Sequence, residues 1–446
     1  MLNTALFRGD DMYRTAIEQL LAWKAKEHRK PLIIRGARHV GKTWLMKAFG
    51  AAEYESVVYI NFDGNERMRR LFEAGPAAER MVAGLELYAG CKIDPANTLL
   101  IFDEIQEVPA ALTGLKYFNE DAAQYQIICA CSLFGLALHP GTSFPVGKVE
   151  FLDLYPLSFS EFLMAMGKGQ YAEPLRRGDF DMAAVFKRDY SDLLKLYCYI
   201  GGMPEVVQAF ADNRDFNEVR EIQKRILAAY EQDFSRLVPR ETAPRILTLW
   251  NSLPAQLAKE NKKFIYSLIK EGARAKEYES AILWLADCGL VHKVYRVSSP
   301  ALPLKAYQDM RAFKLFLPDV GLLTCMLGLR QGVLLDGDKL FTEFNGAIAE
   351  QYVLQELKTV KGLNICYWAA DRGISKMDFV IDNGMAVIPV EVRARLNPQA
   401  KSLKAYREKF NPQLSIRTSM SDYEKGDQLL DLPLWSVGIF LSENRL

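Results

Sequence analysis

Gly36-Ala37-Arg38-His39-Val40-Gly41-Lys42-Thr43 is the stretch on which the reading of this chain turns. It fits the spacing Gly-x-x-x-x-Gly-Lys-Ser/Thr, and each fixed position has a physical reason. The glycines let the backbone curl so that successive N–H groups face one phosphate. Pro31-Leu-Ile-Ile before the loop reads as a buried strand, and Thr43-Trp-Leu-Met-Lys-Ala-Phe after it reads as a helix. Such a helix brings its positive end to the same anion. Lys42 is expected to reach the β- and γ-phosphates as a point charge, and Thr43 to offer its hydroxyl to Mg²⁺. Gly36, Ala37, Arg38, His39, Val40, Gly41, Lys42, Thr43 and Trp44 are therefore the expected nucleotide-binding residues, with His39 shaping the loop rather than reacting. The bland alternative is a glycine-bearing turn with an incidental lysine.

Outward from the loop, Val57-Val-Tyr-Ile-Asn-Phe, Thr98-Leu-Leu-Ile-Phe-Asp and Gln126-Ile-Ile-Cys-Ala-Cys are further apolar runs, with a fifth at Val149-Glu-Phe-Leu-Asp-Leu-Tyr. Continuous apolar strands separated by helical stretches predict a parallel sheet covered on both faces. Leu99-Leu-Ile-Phe-Asp103-Glu104 ends at the carboxyl edge of that sheet, beside the loop. Asp103 is expected to hold Mg²⁺ through a water and Glu104 to polarise the attacking water. Two acids after a strand also suit a helix N-terminus. Ser132 ends the next strand, where its hydroxyl would meet the γ-phosphate or serve only the turn. Lys148 is a candidate charge-stabilising cation or a solvated loop lysine. Tyr13, Arg14 and the first helix are expected, by position, to line the adenine side.

The chain has 446 residues, half of them apolar, and a net charge of +1. That length suits two to four domains. The charge supplies no global field for nucleic acid, so such binding needs a local basic patch. Seven scattered cysteines without a CxxC pair argue against a zinc site or a disulfide framework. No apolar run approaches the roughly 18 residues of a membrane span. There is no signal-like apolar core at the start, and a cytoplasmic setting is expected.

The expected division is a P-loop ATPase domain over 1–165, a helical lid over 166–243, a winged helix over 244–330 and a C-terminal α/β domain over 331–446. The winged helix is read from helices at Arg245–Lys259, Lys263–Glu271 and Lys276–Cys288 and strands at Leu290–Val297 and Ala312–Leu317. Residues 256–315 hold 11 Lys plus Arg against 6 Asp plus Glu, yet the Lys276–Cys288 helix carries acids where DNA phosphates would sit. The last part is read as a helix over Phe341–Lys358, strands at 364–369, 377–382 and 385–393, a helix at 401–410 and two more strands. Lys401, Lys404, Arg407 and Lys409 would share that later helix, facing either phosphates or solvent.

Together these residues resemble bacterial and archaeal ATPases of the AAA superfamily that carry a C-terminal restriction-endonuclease-like domain. The resemblance rests on Ile33-Ile34-Arg-Gly-Ala-Arg38-His-Val-Gly-Lys-Thr, Ile60-Asn61-Phe62-Asp63 and Ile101-Phe-Asp-Glu-Ile-Gln106-Glu. It continues through Ser143-Phe-Pro-Val-Gly-Lys148, Leu154-Tyr-Pro-Leu-Ser-Phe-Ser-Glu-Phe, Gly201-Gly-Met-Pro204, Lys314-Leu-Phe-Leu-Pro-Asp319-Val-Gly-Leu and Pro389-Val-Glu391-Val-Arg. It implies ATP and Mg²⁺ as cofactors and a nucleotide-sensing role at Ser132. Many members have glycine at the position of Cys131 and arginine at that of Lys148. In the tail, Glu350, Asp378, Glu391 and Arg393 look like a PD-(D/E)xK core that would hold Mg²⁺. Arg393 stands where lysine is usual, and arginine cannot shuttle a proton. Three functions are therefore in view: an ATPase driving conformational change on DNA or a protein partner, a slow nucleotide-gated scaffold, and an ATP-regulated nuclease.

Overall fold

The computed structural model describes residues 12–132, 145, 147–238, 240–259, 262–335, 339–342, 346–370, 375–393 and 401–443. The chain forms two compact units, residues 1–155 with 287–289, and residues 156–286 with 290–446.

In the first unit, α1 (Ala16–Lys24) leads into β1 (Leu32–Gly36), α2 (Lys42–Glu53), β2 (Ser56–Asn61), α3 (Glu66–Glu73) and α4 (Ala78–Ala89). Then come β3 (Thr98–Asp103), α5 (Pro109–Asp121), β4 (Gln126–Ser132) and β5 (Glu150–Asp153). The strands lie in the order β2-β3-β4-β1-β5 and every pairing is parallel. The five apolar runs are these five strands, and β3 is buried at every position, as a strand covered on both faces must be. Phe62, Phe72, Phe102 and Phe118 meet edge to face under the sheet, with centroids 5.4 to 6.3 Å apart along the chain of contacts.

The second unit begins with helices: α6 (Phe159–Ala165), α7 (Ala172–Arg177), α8 (Phe180–Val185), α9 (Lys187–Ile200), α10 (Pro204–Asn213), α11 (Phe216–Leu237), α12 (Ala243–Leu257) and α13 (Ala275–Asp287). A hairpin, β6 (His292–Val297) and β7 (Gln308–Phe316), is followed by α14 (Val320–Met326) and α15 (Ala347–Thr359). Next are β8 (Asn364–Ala369), β9 (Lys376–Asp382), β10 (Val387–Val392), α16 (Lys401–Phe410), β11 (Ser415–Ser419), β12 (Glu424–Lys425), β13 (Leu429–Pro433) and α17 (Val437–Ser442).

Two expectations change here. The segment Lys263–Glu271 is not a helix; only Tyr266–Leu268 makes a 3₁₀ turn. The Gln256 side chain bonds both the N–H and the C=O of Ile265 (3.0 and 2.8 Å), and the Phe264 N–H goes to the Phe313 carbonyl (2.8 Å). Backbone groups used in this way are not available to a helical ladder. The hairpin expected to be a wing is instead the edge of one eight-stranded mixed sheet, in the order β12-β13-β11-β10-β9-β8-β6-β7. β6 pairs with β8 in parallel through Tyr295–Cys366, Arg296–Tyr367 and Val297–Trp368, so residue 330 separates no two sheets. Alternating patterns reveal strands but not their partners.

The helix read as Phe341–Lys358 begins at Ala347, after Gly346 in a left-handed conformation, with a separate turn at Lys339–Thr342. α15 is buried from Ala347 to Leu357, so its polar side chains need internal partners. Gln351 bonds both backbone groups of Leu317 (3.0 and 2.7 Å). Gln355 accepts the Val320 N–H (2.9 Å) and donates to the Tyr197 hydroxyl (2.8 Å), and Glu356 accepts the Phe159 N–H (2.8 Å). Asp319 takes the N–H groups of Gly202 (2.6 Å) and Leu322 (2.9 Å). Burial raises its carboxyl to about 6 despite those bonds.

Candidate nucleotide site

The rim of the first sheet assembles the site from three neighbouring strands. Gly36 ends β1 directly opposite Ser132 at the end of β4, and Asp103 ends β3 opposite Asn61. The loop leaves β1 into a tight space: a Cβ on Gly36 would lie 2.3 Å from the Leu154 carbonyl oxygen. His39 and Gly41 adopt positive φ (68° and 91°), giving the loop its curl before α2 starts at Lys42. Such a φ is uncommon outside glycine, and its presence at His39 marks a backbone over-determined by its surroundings.

Lys42 is buried, and its ammonium donates to the carbonyls of Gly36 (3.1 Å) and Ala37 (2.9 Å) across the loop. Burial lowers its affinity for a proton, while the charges of Glu104 and Asp103 pull the other way. The Thr43 hydroxyl donates to Asp103 Oδ2 at 2.8 Å, so the two residues expected to share a cation stand in contact. Tyr59, from β2, donates to the same oxygen at 2.8 Å, and the Glu104 N–H reaches Asp103 Oδ1 at 3.1 Å. Burial, then the bond to Asp103, raises the Tyr59 hydroxyl above its ordinary range, so it stays a donor.

Glu104 has φ +50°, a second non-glycine residue in the left-handed region, and its carboxylate accepts from Gln106. Strain of this kind clusters at functional sites. Cys131, one residue before Ser132, is a buried thiol held protonated first by burial and then by the charge of Glu104. The side chain of Ser132 lies outside the described residues, as do Ser143, Phe144 and Val146. Trp44 is exposed on the first turn of α2. Tyr59 is the member of the site that the sequence reading missed.

Lys148 and Arg14 both have partners within the chain. Lys148 sits just before β5, whose first residue pairs with Leu32 at the amino end of β1, and it forms an ion pair with Glu120 at 2.8 Å. It is therefore a strand's length, ~16 Å, from its own chain's phosphate loop. Arg14 lies just before α1. Its guanidinium is buried against the carbonyls of Val40 (3.0 Å) and Tyr155 (2.6 Å).

In the second unit Glu350, Asp378, Glu391 and Arg393 are each held by polar contacts. The Glu350 carboxylate accepts from Lys262 and from Lys314 (3.2 Å), and Lys314 also donates to the Asp378 carbonyl oxygen (3.3 Å). Burial works to raise the Glu350 carboxyl, but the two lysines outweigh it and hold it near 2. Asp378 accepts the Val392 N–H (2.9 Å) and is raised to about 6 by burial and by Glu350. Glu391 pairs with Arg393 at 2.9 Å; its other oxygen is buried without a partner among the described residues. Among those residues no group of three or more His, Cys, Asp or Glu is gathered to hold a metal. The two ammonium groups that meet Glu350 come from residues 262 and 314, far outside the PD-(D/E)xK motif. On α16, Lys404 pairs with Glu408 (3.9 Å), Arg407 reaches Gln428 (3.5 Å) and Lys409 lies over Trp368 (5.5 Å), while the Lys401 side chain is outside the described residues. Among the described residues no helix is long and apolar enough to cross a membrane.

Residues 28–163 match the family model of an AAA domain (AAA_14). Residues 191–332 and 345–436 match two domains of unknown function, DUF8612 and DUF4143. No curated protein matches the chain significantly. Among solved structures, it is similar to a Walker-type ATPase of Pyrococcus abyssi, at 15% identity, covering 73% of this chain and 99% of that one, with a TM-score of 0.43. It is also similar to Drosophila ORC bound to DNA (13% identity, 70% and 86% covered, TM-score 0.25). A third is Cdc6p from Pyrobaculum aerophilum (14% identity, 66% and 91% covered, TM-score 0.23). Residues 28–163 are thus similar in sequence to AAA domains and fold as a parallel sheet whose rim carries the phosphate-loop motif.

Proposed function

We propose that the chain hydrolyses ATP with Mg²⁺ at the rim of the first sheet and uses the nucleotide state to drive a conformational change. The observation that carries this is the 2.8 Å contact between the Thr43 hydroxyl and Asp103, a hydroxyl and a carboxylate poised to share one hard cation. A hydroxyl, one carboxylate and waters suit Mg²⁺, which seldom takes an all-protein cage. When bound, held by Thr43 and Asp103, the ion would offset negative charge on the phosphates. Lys42 exchanges its loop carbonyls for phosphate oxygens, and the loop amides orient the triphosphate. Glu104 holds the attacking water and takes its proton.

A hydrolysis assay in Mg²⁺ tests this reading. Lys42→Ala should abolish turnover and weaken binding, and Glu104→Gln should cut turnover about 10²- to 10⁴-fold with binding kept. Variants that match the parent would place the chemistry elsewhere. Tight ATP binding with turnover at the buffer baseline would make the chain a nucleotide-gated scaffold instead.

A further inference from the structure

A loop that turns its amides toward a phosphate must turn the matching carbonyls away, and a buried carbonyl needs a donor. The peptide joining Val40 to Gly41 is planar and trans, so its C=O and N–H point in opposite directions. The Val40 carbonyl accepts from Arg14 Nη1 at 3.0 Å, and Arg14 is only 2% exposed, so water is no substitute there. The same guanidinium is fixed by the Tyr155 carbonyl at 2.6 Å, just after β5, and the neighbouring Leu154 N–H bonds to the Arg35 carbonyl (2.8 Å) beside the loop. Arg14 itself is held at the start of α1, where its carbonyl accepts the Ile17 N–H (3.0 Å). At +91°, the φ of Gly41 belongs to a residue without a Cβ, which accepts either orientation of the preceding peptide.

We infer that Arg14 is a positioning residue of the phosphate loop: by holding the Val40 carbonyl it keeps the Gly41 N–H turned toward the bound triphosphate. The planar guanidinium suits this role because it serves two carbonyls in one fixed geometry. Without it the Val40–Gly41 peptide is free to flip and present an oxygen to the phosphates. The inference rests on the ATP site proposed above.

The test measures ATP affinity and steady-state kinetics for the full chain carrying Arg14→Lys or Arg14→Ala. Loss of a charge-assisted bond predicts an ATP Kd and KM about 10- to 100-fold higher for Arg14→Ala, with kcat at saturation within about threefold. Arg14→Lys, which keeps the charge but reaches one carbonyl, should fall between. In ¹⁵N-edited spectra the Gly41 amide shift on adding ATP should shrink in both variants. A merely structural role would lower melting temperature without that KM-against-kcat split. Should Arg14→Ala fail to fold, Arg14→Lys and the amide shift still decide. Folded variants that bind ATP within twofold of the parent would overturn the role of Arg14, whereas a parent that does not bind ATP would overturn the site itself.

Discussion

The Tyr59 hydroxyl lies 2.8 Å from Asp103 Oδ2, the oxygen that Thr43 also contacts at 2.8 Å. One carboxylate oxygen is thus shared by a helix hydroxyl and by a phenol from the neighbouring strand. If Thr43 turns to a cation, Tyr59 remains to hold the carboxylate in place. Tyr59→Phe should raise the Mg²⁺ concentration for half-maximal hydrolysis by about fivefold, the worth of one ordinary hydrogen bond of about 1 kcal/mol. A Mg²⁺ titration at saturating ATP reads this, and an unchanged midpoint would remove Tyr59 from the site.

Glu356 predicts a pH dependence. Burial raises its carboxyl to about 8, and the Phe159 N–H that it accepts does not offset this. Its folded state therefore binds the proton more tightly than the unfolded chain. The stability it contributes is complete below the unfolded value near 4.5 and fades as pH rises through 8. Glu356→Gln keeps the acceptor and removes the charge. Its melting temperature relative to the parent should become more favourable between pH 6 and about 9, and a difference independent of pH would refute the assignment.

For Glu350 the sign is opposite. Lys262 and Lys314 hold its carboxyl near 2, so its contribution is present above the unfolded value of about 4.5 and is lost as pH falls toward 2. Lys314→Met breaks a buried pair and should cost about 3–5 kcal/mol at pH 7. Adding Glu350→Gln should recover part of that loss. Denaturant unfolding of the single and double variants checks it, and strictly additive losses would count against the pairing.

Lys148 gives a prediction of little change. Its partner Glu120 is at the amino end of the sheet, and an exposed ion pair adds little to stability. Lys148→Ala should leave ATP affinity within twofold of the parent and the melting temperature nearly unchanged. A large loss of affinity would mean that Lys148 reaches a nucleotide after all.

The phosphate site was legible because its chemistry is contiguous. Eight adjacent residues carry the loop, and Asp103 follows a fully buried strand whose end could be counted. Tyr59 was not legible, because it needs the order β2-β3, which puts Asn61 opposite Asp103 and Tyr59 two residues earlier. No spacing within one segment encodes that neighbour. The second unit misled for the same reason. Gln256 overrode a helical pattern over 263–271 by capturing Ile265, and Lys314 reached Glu350 on α15 from strand β7. Arg14 was placed near the loop by its position before it, and its guanidinium donates to the Val40 carbonyl of that loop.

The parallel seam between β6 and β8 limits how this chain can be divided. A fragment starting at 331 would keep six of the eight strands but expose the outer edge of β8, an open template for aggregation. It would also leave Glu350 without either ammonium, stranding a charge in its interior. In this chain the tail's sheet is complete only with the hairpin that seals its flank.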